Sequence, residues 1–427
     1  MVLPLTWARL RTIRRCIALS VLDLLLAAVG ALGVVIVAMS ARMRHWPVSE
    51  PLLALVAGIV LGPGGAGIID LPSFTDQPSM LHRPAEILLA ISVMGVALRY
   101  PFGAIRDRAT GLVILLLVVM PLMALITTGL AAGLLGMSLG AALLVGTAVC
   151  PTDPVLSSSV VTGEDAERDL PERDRELLSL ESGANDGLAM PLVLLALVVA
   201  GAFTGTNALL ESTWQLLGAL VIGILAGIVA AKALQKAEAH GDTEDGPILL
   251  YTVLLALLVL GVSGLLSTNG VLGAFVAGLA FNVVSSGHDR RTEVQIDEVV
   301  NQFAVLPFFL VLGAMLPWSE WAHMGWPVWL LALAVLVLRR LPVVLALMKP
   351  LRLRLHDAAY LGWFGPVGVA AVYYLAMEAE RIEVSTEVLA AGVLIVAAST
   401  VAHGVTAAPG RVLFAKVDRE ARSSAVR

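Results

Sequence analysis

From residue 17 to residue 410 the chain is a succession of apolar runs, many of 18 residues or more, and that pattern leaves one fold class open. A run of this length crosses about 30 Å of hydrocarbon as an α-helix. Inside lipid every backbone N–H and C=O must find its partner within the segment, which helix provides. The expectation is an all-α polytopic membrane protein with about 13 transmembrane helices. They fall near 17–40, 50–69, 84–99, 111–136, 139–161, 176–200, 213–234, 247–266, 269–286, 297–317, 324–348, 355–377 and 386–410. Charged residues make up 14% of the chain, against about 25% in soluble domains, and no polar stretch is long enough for a soluble domain. A segment 1–16 precedes the membrane domain, 17–410, and a short tail, 411–427, follows it.

Positive charge sorts by loop. Twenty of the 28 Lys and Arg lie on one side of alternate loops, which assigns that side and the C-terminus to the cytoplasm. With an odd number of spans the N-terminus then lies outside, although Arg9, Arg11, Arg14 and Arg15 crowd it. A net charge of −5 with scattered basic residues argues against nucleic acid as a partner. Cys16 and Cys150 are the only cysteines, too few and too far apart for a disulfide framework or a thiolate metal site. No phosphate-binding GxxxxGK[ST] loop occurs, and no cofactor is expected.

Two spans are interrupted. Span 5 carries Cys150-Pro-Thr-Asp-Pro154 and span 12 carries Gly362-Trp-Phe-Gly-Pro-Val-Gly368. Proline removes a backbone donor and clashes with the preceding turn. Unwound backbone at membrane depth is tolerated only where protein buries it or a cavity hydrates it. The two spans run in opposite directions, and paired broken helices of opposite direction point to an inverted-repeat transporter with its site where they cross.

Ionisable groups mark that site. Asp153 lies between Pro151 and Pro154, and Asp186 lies in Glu181-Ser-Gly-Ala-Asn-Asp-Gly187 of span 6. A charge at the centre of a membrane helix costs roughly 2.5–3.5 kcal/mol or more, so function is the default reading. Glu181 and Asn185 are four residues apart, as are Ser182 and Asp186, so the two pairs form adjacent stripes on one side of the helix. With Asp153, the Thr152 hydroxyl and freed carbonyls, they supply only oxygen ligands, which suit a hard alkali cation. A cation and a proton would compete for the same carboxyls, which titrate as a coupled pair. Alternating access to such a site yields obligatory exchange. Arg339 and Arg340 lie deep in span 11, and a buried guanidinium needs a carboxylate; a Glu181–Arg339 pair is expected.

Two other readings were weighed. A cation channel could be lined by the same broken helices and carboxyls. An intramembrane serine protease could use Gly261-Val-Ser-Gly264, but it needs an activating His, and His288, His323 and His356 fall in loops. Trp318, Trp321, Trp326 and Trp329 read as an interfacial belt, and Asp165 to Arg175 as a solvated loop.

At these residues the chain resembles the NhaP-type cation:proton antiporters of the CPA1 branch, bacterial relatives of animal sodium/proton exchangers. Thr152-Asp153-Pro154, Val161-Thr-Gly163 and Glu181-Ser-Gly-Ala-Asn-Asp-Gly187 are similar to the paired signature of that family. Leu61-Gly-Pro63, Ala274-Phe-Val-Ala-Gly278, Arg339-Arg-Leu-Pro-Val343, Gly362-Trp-Phe-Gly-Pro366 and His403-Gly404 add weaker matches. The resemblance implies a homodimer in a bacterial cell membrane, serving pH homeostasis. It implies a dimerisation part around spans 1–3 and 8–10 and a core around spans 4–6 and 11–13 that moves like an elevator. It makes Asp186 the essential cation and proton carboxylate. Asp153, Ser182 and the Thr152 backbone complete the Na⁺ or Li⁺ site, with K⁺ as a further cargo and Glu181 nearby through water. Asn185 is the asparagine of electroneutral members. Arg339 matches the core arginine, and Val367 departs from the polar residue common in span 12.

Overall fold

The computed structural model describes residues 21–39, 48–100, 102–202, 204–240, 248–285 and 304–425, and among them no strand occurs. The first half contains α1 (Val21–Ala38), α2 (Glu50–Leu61), α3 (Ser79–Arg99) and α4, which runs from Phe102–Ile114 through a π turn at Leu115–Val119 into Met120–Leu135. Then come α5 (Leu139–Ala148), α6 (Pro154–Val161), α7 (Gly163–Asp169), α8 (Glu172–Leu188), α9 (Met190–Val199) and α10 (Gly205–His240). The second half contains α11 (Ile248–Leu265), α12 (Gly270–Val284), α13 (Ala304–Ala314), α14 (Trp318–Met324), α15 (Trp326–Leu338) and α16 (Leu341–Ala346). It closes with α17 (Leu355–Trp363), α18 (Val369–Arg381) and α19 (Thr386–Ala425).

The all-helical membrane class holds. Six of the described helices are long and apolar enough to cross a bilayer alone, or up to eight with two bent pairs counted as single spans. Those pairs are α8–α9, bent by 40°, and α13–α14, bent by 54°. Pro191 sits in the first turn of α9, where its missing N–H costs nothing, and the bend falls just before it.

Spans 5 and 12 are broken as expected: α5 gives way to α6 across Val149–Asp153, and α17 to α18 across Phe364–Gly368. A third break, between α15 and α16, precedes Pro342 and divides Arg339 from Arg340. Two helix groups pack around these breaks. In one, α12 lies against α10, α3 and α11, and bare glycines allow close approach: a Cβ on Gly227 would come within 2.3 Å of the Ala277 carbonyl. In the other, α5 packs on α4 and α9, and α19 on α15, α18 and α17. Helix α3 touches both groups, meeting α12 and α18.

Several boundaries differ from the sequence reading. The helix of span 2 ends at Leu61, where Gly62-Pro63 stops it. Residues 163–175 are not a solvated loop: they form α7 and the first turn of α8, and Asp174 is buried. Helix continues through Pro409 to Ala425, so much of segment 411–427 is helical. Trp321 does not join a surface belt: it is 1% exposed, with its indole N–H donating to the Ala390 carbonyl. Segment 1–16 with its arginines, Cys16, residues 241–245 and His288 lie outside the described residues.

Candidate cation site at the helix crossing

Each broken helix leaves orphan groups at mid-membrane: N–H groups where the second half starts and carbonyls where the first half stops. The site is built on how these are met. Asp153 is the N-cap of α6, and its Oδ1 accepts from the Leu156 N–H at 2.9 Å. Its Oδ2 accepts from Val369 N–H and, at 3.3 Å, from Ala370 N–H, so the same carboxylate also caps α18. The two breaks are tied directly as well, by Asp153 N–H donating to the Pro366 carbonyl at 2.9 Å. A negative charge at two helix N-termini is favoured by both dipoles.

Arg339 does the converse. Its guanidinium donates to the carbonyls of Val149, Cys150 and Pro151 at the end of α5 and of Gly365 at the end of α17. The crossing is thus closed by one carboxylate on its N-termini and one guanidinium on its C-termini. Gly368 makes room for this: a Cβ there would come within 2.6 Å of Asp153 Oδ2.

The expected Glu181–Arg339 pair is not formed. Glu181 pairs with Arg340, which donates from Nη1 at 2.5 Å and Nη2 at 2.7 Å, both side chains being buried. The break after Leu338 sends the two neighbouring guanidiniums in different directions, and the orphan carbonyls claim the first. Arg340 Nε also donates to the Leu361 carbonyl at 2.9 Å.

Helix α8 carries the polar stripes to the crossing. Asn185 Nδ2 donates to Thr152 Oγ1 at 2.7 Å, and Thr152 Oγ1 lies 3.1 Å from Ser182 Oγ. Thr152, Asp153, Glu181, Ser182, Asn185 and Asp186 are all 1% exposed or less. Both carboxyl oxygens of Asp186, and Oδ1 of Asn185, have no protein hydrogen-bond partner. Asp153 is close enough to Asp186 for the two carboxyls to interact. The structure therefore brings together all the expected ligand residues and separates their tasks. Asp186 has free oxygens. Asp153 has both oxygens engaged by backbone N–H groups, so it adds charge to the site more than open ligand positions.

Two supporting residues, Tyr374 and Ser399, carry no signal in the sequence. The Tyr374 hydroxyl donates to the Asp186 carbonyl. Val367 N–H donates to Ser399 Oγ at 2.7 Å, which faces His403 Nδ1 at 3.1 Å, while His403 Nε2 meets the Trp363 carbonyl at 2.9 Å. His403 Nδ1 also meets the Ser399 carbonyl at 2.9 Å, so the ring ties α19 to the second break through both nitrogens. Only the His403-Gly404 match hinted at it. Among the described residues no cluster of three or more His, Cys, Asp or Glu could hold a transition metal. Ser263 Oγ has no partner, which leaves the protease reading without its base.

Residues 27–410 match the family described as "Sodium/hydrogen exchanger, transmembrane". The chain belongs to the sodium/hydrogen exchanger family. Members of this family are transporters, so the chain is not an enzyme. It is similar to the Na(+)/H(+) antiporter of Schizosaccharomyces pombe, 32% identical over 344 residues that are 76% of this chain and 73% of that protein. It is also similar to Na(+)/H(+) antiporter 2 of Zygosaccharomyces rouxii, 31% identical over 76% of this chain and 42% of that protein. A K(+)/H(+) antiporter NhaP2 from a Shewanella strain is 26% identical over 75% of this chain and 54% of that protein. The chain spans less than half the length of some of these curated relatives. The structure of the sodium proton antiporter MjNhaP1 from Methanocaldococcus jannaschii superposes with a TM-score of 0.72 at 18% identity, covering 92% of this chain and 99% of that one. Likeness at that identity speaks for the fold, which is of the NhaP type. The chain is a multi-pass membrane protein, and relatives from yeasts mean that a bacterial membrane is not singled out.

Proposed function

We propose that this exchanger is a secondary active antiporter that trades one monovalent cation, Na⁺ or Li⁺ with K⁺ as the rival cargo, for one proton at Asp186. The observation that carries the reading is a fully buried carboxyl with two unpartnered oxygens beside the unpartnered Asn185 Oδ1, at the crossing of two broken helices. An empty cluster of oxygens at that depth is stable only when something neutralises it. A proton on Asp186 does so, and so does a cation held by Asp186, Asn185 and Ser182 with the Asp153 charge behind them. Neither leaves room for the other, and each leaves the site with the same charge, so exchange is electroneutral. The transported cation is the cargo, and the exchanger needs no resident cofactor. The printed names of the relatives, which include both Na(+)/H(+) and K(+)/H(+) antiporters, support this cargo class.

We extend the proposal to a homodimer. The group around α3, α10, α11 and α12 forms the dimerisation part, and the body carrying the crossing moves against it in elevator fashion. The pattern of packing, with α3 between the two groups, supports that division. Proteoliposomes loaded with each cation in turn, with the potential clamped or free, test the reading. Saturable exchange that is insensitive to potential supports it, and channel-like flux without coupling to protons overturns it.

A further inference from the structure

Among the described residues, Glu378 is a buried carboxyl that neither the crossing nor an ion pair uses. It lies on α18, is 0% exposed, and neither of its carboxyl oxygens has a hydrogen-bond partner. An unpartnered buried carboxyl lowers stability, so it is not there to hold α18 in place; an apolar side chain or a paired one would do that better.

Its position on α18 is informative. Residues four apart share a helix face. Glu378 therefore falls on the stripe of Tyr374, whose hydroxyl holds the Asp186 carbonyl, and about 6 Å further along the axis. Beyond it, within one turn, are Glu380 and Arg381, whose side chains are 43% and 25% exposed. The stripe thus runs from the site through Tyr374 and Glu378 to a solvent-exposed rim. That rim is the end of α18 that the loop charges assign to the outside.

The rim is tied to neighbouring helices by a carboxylate–imidazole contact and an ion pair. Glu380 meets His82 of α3 at 2.7 Å, and Arg381 meets Glu211 of α10 at 2.5 Å. Of the other ionisable groups, Tyr373 neighbours Tyr374 on α18 itself. Of the elements packed on α18, α5 and α9 carry no ionisable residue, nor does α19 between Glu387 and His403, while α3 brings Arg83 and Glu86, paired at 2.5 Å, near Tyr373. Glu378 is the carboxyl that α18 itself places between Tyr374 and the rim.

We propose that Glu378 is a proton-carrying residue of the exchange route, relaying protons between Asp186 and the outer face. The proposal rests on the transport reading given above. In the direction of release, the O–H bond of the Glu378 acid breaks and its proton passes to water at the rim. The resulting carboxylate then takes the proton that leaves Asp186 through water admitted from the rim, while the cation replaces that proton at Asp186. Uptake runs in reverse. Glu378 ends each cycle as it began, so it sets the rate and outer pH dependence of exchange and not its stoichiometry.

The test uses the full chain in vesicles of one orientation. Sodium-for-proton and sodium-for-sodium exchange are measured side by side, with pH varied on the outer face only, for the native protein and for Glu378→Gln, Glu378→Asp and Asp186→Asn. Glu378→Gln is expected to lower the ratio of proton-coupled to sodium-for-sodium exchange at least tenfold and to flatten the outer pH profile. Glu378→Asp is expected to restore a profile, shifted from the native one. An unchanged ratio and profile in Glu378→Gln overturns the proposal. So does an equal loss in both modes that Asp does not rescue, since that is a structural role. If Glu378→Gln does not accumulate, Glu378→Asp decides alone, and an unshifted profile is the adverse result. Exchange that survives in Asp186→Asn instead overturns the transport reading, and that arm is scored separately.

Discussion

Arg340 grips both carboxylate oxygens of Glu181 while its neighbour Arg339 touches none of them. One residue of register separates an ion pair from a carbonyl clamp. Removing one partner of a buried pair costs about 3–5 kcal/mol, whereas replacing both by apolar groups is often neutral. Arg340→Met and Glu181→Leu should each lower the unfolding temperature of the purified protein strongly, and the double variant should recover most of the loss. Additive losses in the double variant would show that the pair contributes nothing as a pair.

Asp186→Asn should abolish exchange and leave thermal stability near native, because neither Asp186 oxygen holds another group in place. Everted vesicles with a trapped pH dye read the exchange, and detergent-solubilised melting reads the fold. Cation-driven pH recovery in this variant would remove Asp186 from the site.

Asp153 should behave differently. It caps α6 and α18 together, and each orphaned buried donor costs about 1–3 kcal/mol. Asp153→Ala should therefore lose stability and exchange together. Gly368→Ala, which leaves the carboxylate intact but drives a methyl group against it, should reduce exchange with a smaller loss of stability. Equal melting of Asp153→Ala and Asp186→Asn would contradict this division of labour.

Outside the crossing, the Arg168 guanidinium beside Asp169 holds its carboxyl below the usual aspartate range, and Arg411 adds to this from α19. A lowered carboxyl stabilises the fold fully above about pH 4, the ordinary aspartate value, and loses that contribution as pH falls through the lower folded value. Asp169→Asn should lower the melting temperature at neutral pH, and the two proteins should converge at acid pH, where the native carboxyl is protonated and its contribution is already lost. A pH-independent difference between the two proteins would assign the residue a packing role instead.

Much of the site was legible because proline and aspartate are costly in lipid. Pro151, Pro154 and Pro366 announced the two breaks, and Asp153 and Asp186 announced the chemistry. What stayed hidden depends on directions that spacing does not encode. The Glu181 partner was misassigned because a third break, before Pro342, turns Arg339 and Arg340 apart. Asp153 was read as a ligand because a sequence does not show that two helix N-termini converge on one carboxylate. Glu378 was passed over because the apolar run of span 12 stops at residue 377, although α18 continues through Arg381. Trp321 was read as interfacial because its type favours interfaces, while its indole N–H had a buried carbonyl waiting.

The clamp of Asp153 and Arg339 bears on how the fold responds to voltage. An electric field across the bilayer does about 2.3 kcal/mol of work per elementary charge per 100 mV. With both groups ionised, the field pulls on the carboxylate and on the guanidinium with equal force in opposite senses, so the pair holds the unwound backbone together with no net pull from the membrane potential.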